Sequence, residues 1–377
     1  MAARAGAATL KPTLRGIDFP LLLDVAVLLV AGLVMVYSAS FGLDMARLGK
    51  PTTYFLVRQV EWAAIGCVAL VAMALIPYEV WRRWSKWILG GALAVLILLL
   101  LLPESDQPAQ RWLLGNSVQP GEFVKLAVII YIADWLASKG PKIRQVTYGM
   151  VPFAVILGVV TGLIVLQPNF STAFLIVSTA VTMFFVAGAD LSQMAIGGLV
   201  GGASLALLVR ISPYRWQRVL TFLKDPLQDP LGRGYQTARA IYALQAGGIG
   251  GVGLGGSVQK MGYLYAPHTD AIFAIIGEEL GLIGGVAVLV LYGVLAYRGL
   301  HIARRCDSAF GALLAVGVTS LIILQAALHI AVVTATVPFT GITLPLISFG
   351  GSSLVASMAA LGLLLSVSRG RPRGLSA

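Results

Sequence analysis

Long apolar stretches follow one another along this chain, with short polar interruptions between them. Residues 92–102 and 151–166, for example, contain no charged side chain. A helix needs about 20 apolar residues to cross roughly 30 Å of hydrocarbon, where each backbone polar group must be satisfied within the protein. The pattern predicts ten spanning helices, at 18–40, 54–76, 84–102, 121–138, 148–166, 170–187, 191–211, 271–297, 308–335 and 344–368.

Composition supports a membrane protein and excludes several other classes. The 377 residues are 58% hydrophobic and 11% charged, whereas about a quarter of the residues in a soluble domain are charged. A transmembrane barrel would show short segments of alternating polarity. Two cysteines cannot support a disulfide scaffold, and no spacing resembles a zinc site. We therefore expect an all-α polytopic membrane protein that forms one domain over residues 1–377.

The distribution of basic residues predicts the orientation in the membrane. Ten crossings place both termini on one side, and cytoplasmic loops carry an excess of Lys and Arg. The termini and three connections on that side hold 15 of the 27 basic residues. The first two loops on the opposite side hold only Arg47, Lys50 and Arg111. We therefore expect both termini in the cytoplasm.

Residues 212–270 form a long segment between the seventh and eighth predicted spans. Loops of this length are usually functional or disordered. The stretches 214–220 and 236–242 have apolar residues at helical spacing, with basic and aromatic residues on other faces, which indicates amphipathic helices at the membrane interface. The basic residues of this extracytoplasmic loop are either ordinary solvated charges or a cradle for an anionic headgroup such as a lipid-linked diphosphate.

Charged residues at the start of the fourth span are candidates for function, because a charge at membrane depth is costly without a partner or a role. Gln119, Glu122 and Lys125 lie there, shortly after Arg111. Glu122 and Lys125 are three residues apart and share a helix face. They either neutralise each other at the interface, or Lys125 and Arg111 bind a phosphate while Glu122 orients them.

A second polar cluster, His268, Thr269 and Asp270, ends the long segment directly before the eighth span. Thr269 or Asp270 can be a simple helix cap, and the alternative is a chemical role for the carboxylate. Glu278 and Glu279 follow two to three turns later. We expect one of them to pair with a basic side chain or to face a polar cavity.

Residues 338–353, at the entry to the last span, contain two prolines and three glycines. This composition predicts irregular backbone at membrane depth, which is tolerated only against protein or a water-filled cavity. The alternative is close packing of helices through small residues.

Four separated stretches together resemble the SEDS family of polytopic proteins, which includes RodA and FtsW. They are Arg111-Trp112 with Gln119-Pro120-x-Glu122-x-x-Lys125; Gly251-x-Gly253-x-Gly255 through Ser257-x-Gln259-Lys260; His268-Thr269-Asp270 with Gly277-Glu278-Glu279; and Thr340-Gly341 through Ser348-x-Gly350-Gly351-Ser352-Ser353. The stretch around Lys260 is more similar to the FtsW-type division branch than to the RodA-type elongation branch. Departures from the family pattern are Ala266-Pro267 in place of Pro-Glu, Asn169 in place of Asp, and His329 in place of Asn.

The resemblance implies a peptidoglycan glycosyltransferase that polymerises lipid II and releases undecaprenyl diphosphate. Asp270 would be the catalytic acid, as general base or as ligand of a divalent cation, Mg²⁺ or Mn²⁺. Cationic side chains would stabilise the diphosphate, and further polar residues would bind substrate. The substrate-binding candidates are Arg58, Arg111, Gln119, Glu122, Lys125, Lys260, His268, Thr269 and Ser352.

The resemblance also implies partners and a location. We expect lipid II, the undecaprenyl diphosphate-linked glycan and membrane lipid as ligands, and a single-pass class B penicillin-binding protein as the protein partner. No organic cofactor and no nucleic acid partner is expected. The location would be a bacterial cell membrane.

Two other functions are compatible with these residues: a lipid II flippase or transporter, and a non-catalytic scaffold for cell-wall synthases. The position of the charged residues favours the enzyme, because Arg58, Arg111, Lys125, Lys260 and Asp270 all map to the outer side. A transport route would need polar groups across the whole bilayer.

Overall fold

The structure, a computed structural model, describes residues 16–41, 51–101, 118–224, 227, 229, 232 and 234–370, without the side chain of Tyr214. These residues form twelve α-helices and no strand. The helices are α1 (Phe19–Ser40), α2 (Tyr54–Leu75), α3 (Tyr78–Leu101), α4 (Pro120–Lys139), α5 (Val151–Leu166), α6 (Phe170–Val186), α7 (Leu191–Ile211), α8 (Pro213–Leu223), α9 (Tyr235–Gly247), α10 (Ile272–Arg305), α11 (Ala309–Val333) and α12 (Gly351–Ser368). A 3₁₀ turn (Gly140–Arg144) and a π-helical turn (Val146–Met150) join α4 to α5.

Each predicted span overlaps one helix, and the fold is that of a polytopic helical membrane protein. Within the described residues, eight helical segments are long and apolar enough to cross a membrane. Of the other two helices at predicted spans, α6 is apolar but has only 17 residues. The remaining one, α4, carries four charged residues: Glu122, Lys125, Asp134 and Lys139.

Helix α12 lies at the centre of the bundle, and every residue from 352 to 367 is buried. It packs closely against α2: a Cβ atom at Gly362 would stand 2.4 Å from the carbonyl oxygen of Leu70. Small residues permit such close approach of membrane helices. By contrast, α7 stands at the periphery, where only Gln193 is buried.

The entry to α12 differs from its predicted bounds. The expected span began at 344, whereas the helix begins at Gly351 and residues 338–350 are non-helical. This irregular stretch is packed against protein, since Ile342, Leu344 and Ile347 are buried. The irregular backbone expected here therefore extends further into the predicted span, because its polar groups are satisfied by neighbouring elements.

Helix α10 is interrupted at Gly281, where φ is 65° and ψ is −162°. The glycine-rich loop after α9 satisfies the backbone groups that the break releases. The amides of two residues that follow Gly281 donate to carbonyl oxygens of the loop. Two loop amides donate in turn to carbonyl oxygens of residues that precede Gly281. These bonds are Leu282 N to Gly248 O (2.9 Å), Ile283 N to Ile249 O (3.2 Å), Val252 N to Glu278 O (3.0 Å) and Gly253 N to Glu279 O (3.0 Å).

The long segment 212–270 contains α8 and α9, which coincide with the two stretches that have amphipathic spacing. Arg215 of α8 stacks over the ring of Phe170 at the start of α6. Arg218 donates to the carbonyl oxygen of Phe339 at 3.1 Å. These contacts hold the segment against the end of the bundle from which α6 and α12 begin.

Candidate active site

A cavity of about 690 Å³ lies where the amino-terminal ends of five helices converge. Residues from the first two turns of α2, α4, α6 and α12 line it, together with the residues that directly precede α10. Helix amino termini carry partial positive charge and unpaired backbone amides. Their convergence makes this cavity suited to an anionic group.

The charged pair at the start of α4 forms the floor of the cavity. The Nζ atom of Lys125 lies 2.8 Å from Oε2 of Glu122, and both side chains are almost fully buried. Nζ also donates to Oε1 of Gln325 on α11 at 2.7 Å. The pair expected from the sequence is therefore formed, and it faces the cavity as part of a network.

The network continues from Gln325 to the entry of α12. The side-chain amide nitrogen of Gln325, Nε2, donates to the carbonyl oxygen of Thr343 at 3.1 Å. The hydroxyls of Thr343 and Ser353 lie 2.8 Å apart. Three elements are joined in this way below the cavity. The ammonium of Lys125 is held in place at low dielectric, where its attraction for an anion is strong.

Asp270 lines the same cavity and is held through its neighbours in the chain. The amide of Phe349 donates to the carbonyl oxygen of His268 at 2.8 Å, and Ser348 Oγ donates to that of Thr269 at 2.7 Å. The side chain of Gln59 supports Ser348 by donating to its carbonyl oxygen at 3.1 Å. The irregular stretch before α12 therefore positions the carboxylate.

Burial alters the chemistry of Asp270. Desolvation raises the pKa of its carboxyl from 3.8 to about 6, because burial disfavours the charged form. A carboxylate with a pKa near the working pH combines substantial ionisation with higher basicity, as general base catalysis requires. The simple role of a helix cap is not supported, because α10 has no side-chain cap.

His268 lies behind the cavity wall. Its ring packs between Phe55, at a centroid distance of 4.2 Å, and Phe349, at 5.5 Å. Burial lowers the pKa of His268 from 6.5 to about 4, so the ring is neutral at physiological pH. Thr269, beside it, does line the cavity. The structure therefore gives His268 a packing position outside the lining of the cavity, and its expected contact with substrate stays a prediction.

Three further candidates reach the cavity. Arg58 is half-exposed at its rim, with Nη1 3.5 Å from Oε2 of Glu61. The backbone amide of Gln119 donates to Oγ of Ser352 at 2.8 Å, which joins the starts of α4 and α12. Arg58, Gln119 and Ser352 are thus brought to the same cavity as Asp270 and Lys125.

Lys260 does not line this cavity, so the structure does not bring it together with Asp270 and Lys125. Its side chain is fully buried, and Nζ lies 2.6 Å from Oε1 of Glu279. A buried ammonium needs a charged partner, and Glu279 supplies it. Arg111, the remaining candidate, lies outside the described residues.

Several lining residues were missing from the sequence-based candidates. Gln325 is the one side-chain amide of the largely apolar helix α11, and Asn169 accepts from the amide of Thr172 as the cap of α6. A polar residue in an apolar span is a usable signal in a sequence. The position of Gln325 beside Lys125, however, depends on the packing of α11 against α4.

The described residues contain no group of three or more His, Cys, Asp and Glu side chains that could hold a metal ion. The cavity itself offers Asp270, and Glu122 is engaged by Lys125. Mg²⁺ is often held by one or two carboxylates together with substrate phosphates. The donor set therefore fits a cation shared with a bound diphosphate, and does not fit an all-protein metal site.

Comparison with known proteins gives one family along nearly the whole chain. The FtsW/RodA/SpoVE family model, described as cell cycle protein, matches residues 20–372. Stage V sporulation protein E of Bacillus subtilis is 40% identical over 356 residues, which cover 93% of this chain and 97% of that protein. A probable peptidoglycan glycosyltransferase FtsW of Trichlorobacter lovleyi is 39% identical, with coverage of 94% and 93%.

Solved structures agree with this result. Rod shape determining protein RodA of Thermus thermophilus superposes with a TM-score of 0.70 at 27% identity, over 95% of this chain and 98% of that one. A chain from a peptidoglycan synthase complex, studied for its coordination of polymerization and crosslinking, has a TM-score of 0.77 at 29% identity, with coverage of 94% and 98%. Identity to the FtsW and SpoVE proteins exceeds identity to the solved RodA, in agreement with the FtsW-type resemblance. The chain therefore belongs to the FtsW/RodA/SpoVE family, the SEDS family of polytopic membrane proteins.

Proposed function

We propose that this protein is a peptidoglycan glycosyltransferase that polymerises lipid II into glycan strands and releases undecaprenyl diphosphate. The observation that carries the proposal is the joint presence of Asp270, Arg58 and Lys125 in one cavity at the convergence of five helix amino termini. Relatives named peptidoglycan glycosyltransferase FtsW support the same activity. The similarity of this chain to FtsW proteins favours a role in cell division over a role in elongation.

Asp270 acts as the general base in this proposal. The acceptor sugar hydroxyl gives its proton to the carboxylate as its oxygen attacks the anomeric carbon of the donor. The bond between that carbon and the diphosphate oxygen breaks, and the electron pair leaves with the diphosphate. The raised pKa of Asp270, about 6, suits a group that accepts this proton near neutral pH.

The cationic side of the cavity stabilises the leaving group. Negative charge develops on the diphosphate oxygen as the bond breaks, and fixed positive groups stabilise such charge in a site with little water. Lys125 is fixed by Glu122 and Gln325, while Arg58 at the rim has room to move toward the substrate. The helix amino termini add backbone amides to this electrostatic field.

The alternative to the role of base is that Asp270 would hold a divalent cation, Mg²⁺ or Mn²⁺, together with the diphosphate of the substrate, as the donor set of the cavity permits. When bound, the cation supplies neutralisation of diphosphate charge. Lys125 and Arg58 bind and orient the same oxygens from the protein side.

The membrane context supports a lipid substrate and a crosslinking partner. We infer that the protein lies in the bacterial cell membrane with both termini in the cytoplasm, since the termini and the connections predicted on their side of the membrane are rich in Lys and Arg. The prenyl tails of the substrate would lie between helices, in contact with membrane lipid. A class B penicillin-binding protein fits as partner, because a similar solved chain belongs to a complex that couples polymerization to crosslinking.

The test of this function is a reconstitution with labelled lipid II. The purified protein is assayed alone and together with a co-purified class B penicillin-binding protein whose transpeptidase is blocked by a β-lactam. A ladder of glycan products in either preparation is expected. Translocation of lipid II without any ladder would overturn the enzyme assignment in favour of a flippase. The absence of both activities would leave the scaffold role and would also overturn it.

A further inference from the structure

A fully buried ion pair joins the long polar segment to α10, outside the cavity. Nζ of Lys260 lies 2.6 Å from Oε1 of Glu279, and Oγ of Ser38 on α1 donates to the other carboxylate oxygen at 2.6 Å. Nζ also lies 3.2 Å from Oγ of Ser38. Both charged side chains have 0% exposure. A pair buried this deeply must be fully hydrogen-bonded to offset its desolvation.

The preceding acid, Glu278, holds the neighbouring part of the same segment. Its carboxylate accepts from the hydroxyl of Ser257 and from the amides of Val258 and Gln259, at 2.9 and 3.4 Å for the two amides. Two successive acids of one membrane helix therefore grip residues 257–260. We call Ser38, Ser257, Lys260, Glu278 and Glu279 the clasp.

The clasp holds residues 257–260, which begin the stretch of chain that leads to Asp270. The chain runs from Lys260 through residues 261–271 directly into α10, and Glu279 is seven residues after the first residue of that helix. Since a helix rises 1.5 Å per residue, Glu279 lies about 10 Å along the helix axis from Ile272. Ile272 itself follows Asp270 by two residues. The segment therefore meets α10 at two places. It runs into the start of the helix just after Asp270, and its Lys260 binds Glu279 further along the same helix.

The residues between Lys260 and α10 are held by contacts outside the clasp. The amide of Leu264 donates to the carbonyl oxygen of Gln259 at 2.8 Å, and the amide of Phe349 donates to that of His268. Leu264 itself is buried. Asp270 is therefore held from one side by the entry to α12 and from the other by residues that depend on the clasp.

We propose that Lys260 and Glu279 are positioning residues, which fix the place of Asp270 without contact to the substrate. This inference rests on the proposed function only in assigning the chemistry to Asp270. Loss of one charge leaves the other buried without a partner, which is strongly unfavourable. The segment then opens to admit water, and Asp270 moves relative to Lys125.

The kinetic test separates positioning from substrate contact. Lys260→Met and Glu279→Leu are compared with wild type for kcat and KM in the polymerisation of lipid II. Positioning predicts a fall in kcat of about 10- to 100-fold, since small misplacements have effects of this size, with KM unchanged. A rise in KM with kcat unchanged would mark Lys260 as a substrate contact and overturn the proposal. Arg144→Met, which removes an exposed pair with Asp190 at 3.7 Å, should leave both constants unchanged.

A second measurement does not depend on turnover. Hydrogen exchange followed by mass spectrometry should show faster exchange at 257–271 in both single variants, with 120–139 unchanged. The double variant Lys260→Met/Glu279→Leu replaces the pair by apolar side chains, a change that is often tolerated, and should recover slow exchange and much of kcat. Unaltered exchange in the single variants, or strictly additive losses in the double variant, would contradict the clasp even if lipid II proves to be the wrong substrate.

Discussion

Gly341 lies directly against the carboxylate of Asp270. A Cβ atom at position 341 would stand 3.1 Å from Oδ2 and 3.7 Å from Cγ of Asp270. The contact is closer than ordinary van der Waals distance, so a side chain at 341 requires the carboxylate to shift by a few tenths of an ångström. The glycine expected in this irregular stretch therefore has a local reason, which is the space that Asp270 occupies.

The first prediction concerns this contact. Gly341→Ala should lower kcat about tenfold, and Gly341→Val by more, because misplacement of a reacting group by a fraction of an ångström is costly. The measurement is lipid II polymerisation at saturating substrate. Gly90→Ala in α3, where a Cβ atom meets nothing within 4 Å, is the control and should retain full activity. Equal rates for Gly341→Val and wild type would exclude the steric role.

The second prediction is the pH dependence of the rate. A general base must be deprotonated, and the pKa of Asp270 is about 6. The polymerisation rate should therefore rise about tenfold per pH unit below 6 and level off above it. The measurement is kcat between pH 4.5 and 8. A rate that is flat across this range would contradict the assignment of Asp270 as base.

The third prediction follows from the same shift but concerns stability. Because the folded-state pKa is above the unfolded value of 3.8, the folded protein holds the proton more tightly, and this contribution to stability is lost as pH rises through 6. Asp270→Asn has no such loss. Its Tm relative to wild type should therefore increase from pH 4 to about pH 7. A Tm difference independent of pH would show that Asp270 is not desolvated.

The fourth prediction separates the two cations of the cavity. Lys125→Met leaves Glu122 buried without a partner and should destabilise the fold by about 3–5 kcal/mol. Arg58→Met breaks an exposed pair with Glu61, which contributes about 0–1 kcal/mol, and a distant cation–π contact with Tyr54, and should leave Tm nearly unchanged. Both variants should impair polymerisation. Thermal unfolding in detergent measures the difference, and equal Tm losses would contradict the structure of the network.

The fifth prediction addresses the break in α10. Gly281→Ala places a Cβ atom 2.4 Å from backbone atoms of Gly251 and Ile249 at a φ of 65°, and the strain of such a φ alone costs about 1–3 kcal/mol. Strong destabilisation is expected. Gly293→Ala, in the same helix with nothing within 4 Å of its Cβ atom, should retain the wild-type Tm. Comparable Tm values for the two variants would argue against the exchange of hydrogen bonds at the break.

The apolar pattern was sufficient to predict the helices because burial in hydrocarbon depends on local composition. Glu122 and Lys125 could be paired from sequence, since partners three residues apart share a helix face. The break at Gly281 could not be predicted, because its backbone partners lie about thirty residues earlier, in the loop after α9. For the same reason, a motif could name Lys260 but could not show that its ammonium meets Glu279.

The central site depends on topology even more strongly. Asp270, Lys125 and Gln325 are far apart in sequence, and the packing of α4, α10 and α11 brings them to one region. The convergence of helix amino termini is also a property of the assembled bundle. Most of the charged residues could be named from the sequence, while their grouping, and the placement of Lys260 and His268 outside the lining of the cavity, required the structure.

The rate of glycan formation from labelled lipid II by the purified Asp270→Asn variant tests the role of Asp270 most directly. Asp190→Asn, which keeps a residue suited to cap α7, is the matched control. We expect a loss of about 10²- to 10⁴-fold for Asp270→Asn, the range for removal of a general base, and wild-type rates for the control. Glycan ladders formed by Asp270→Asn at the wild-type rate would contradict the assignment of Asp270 as general base.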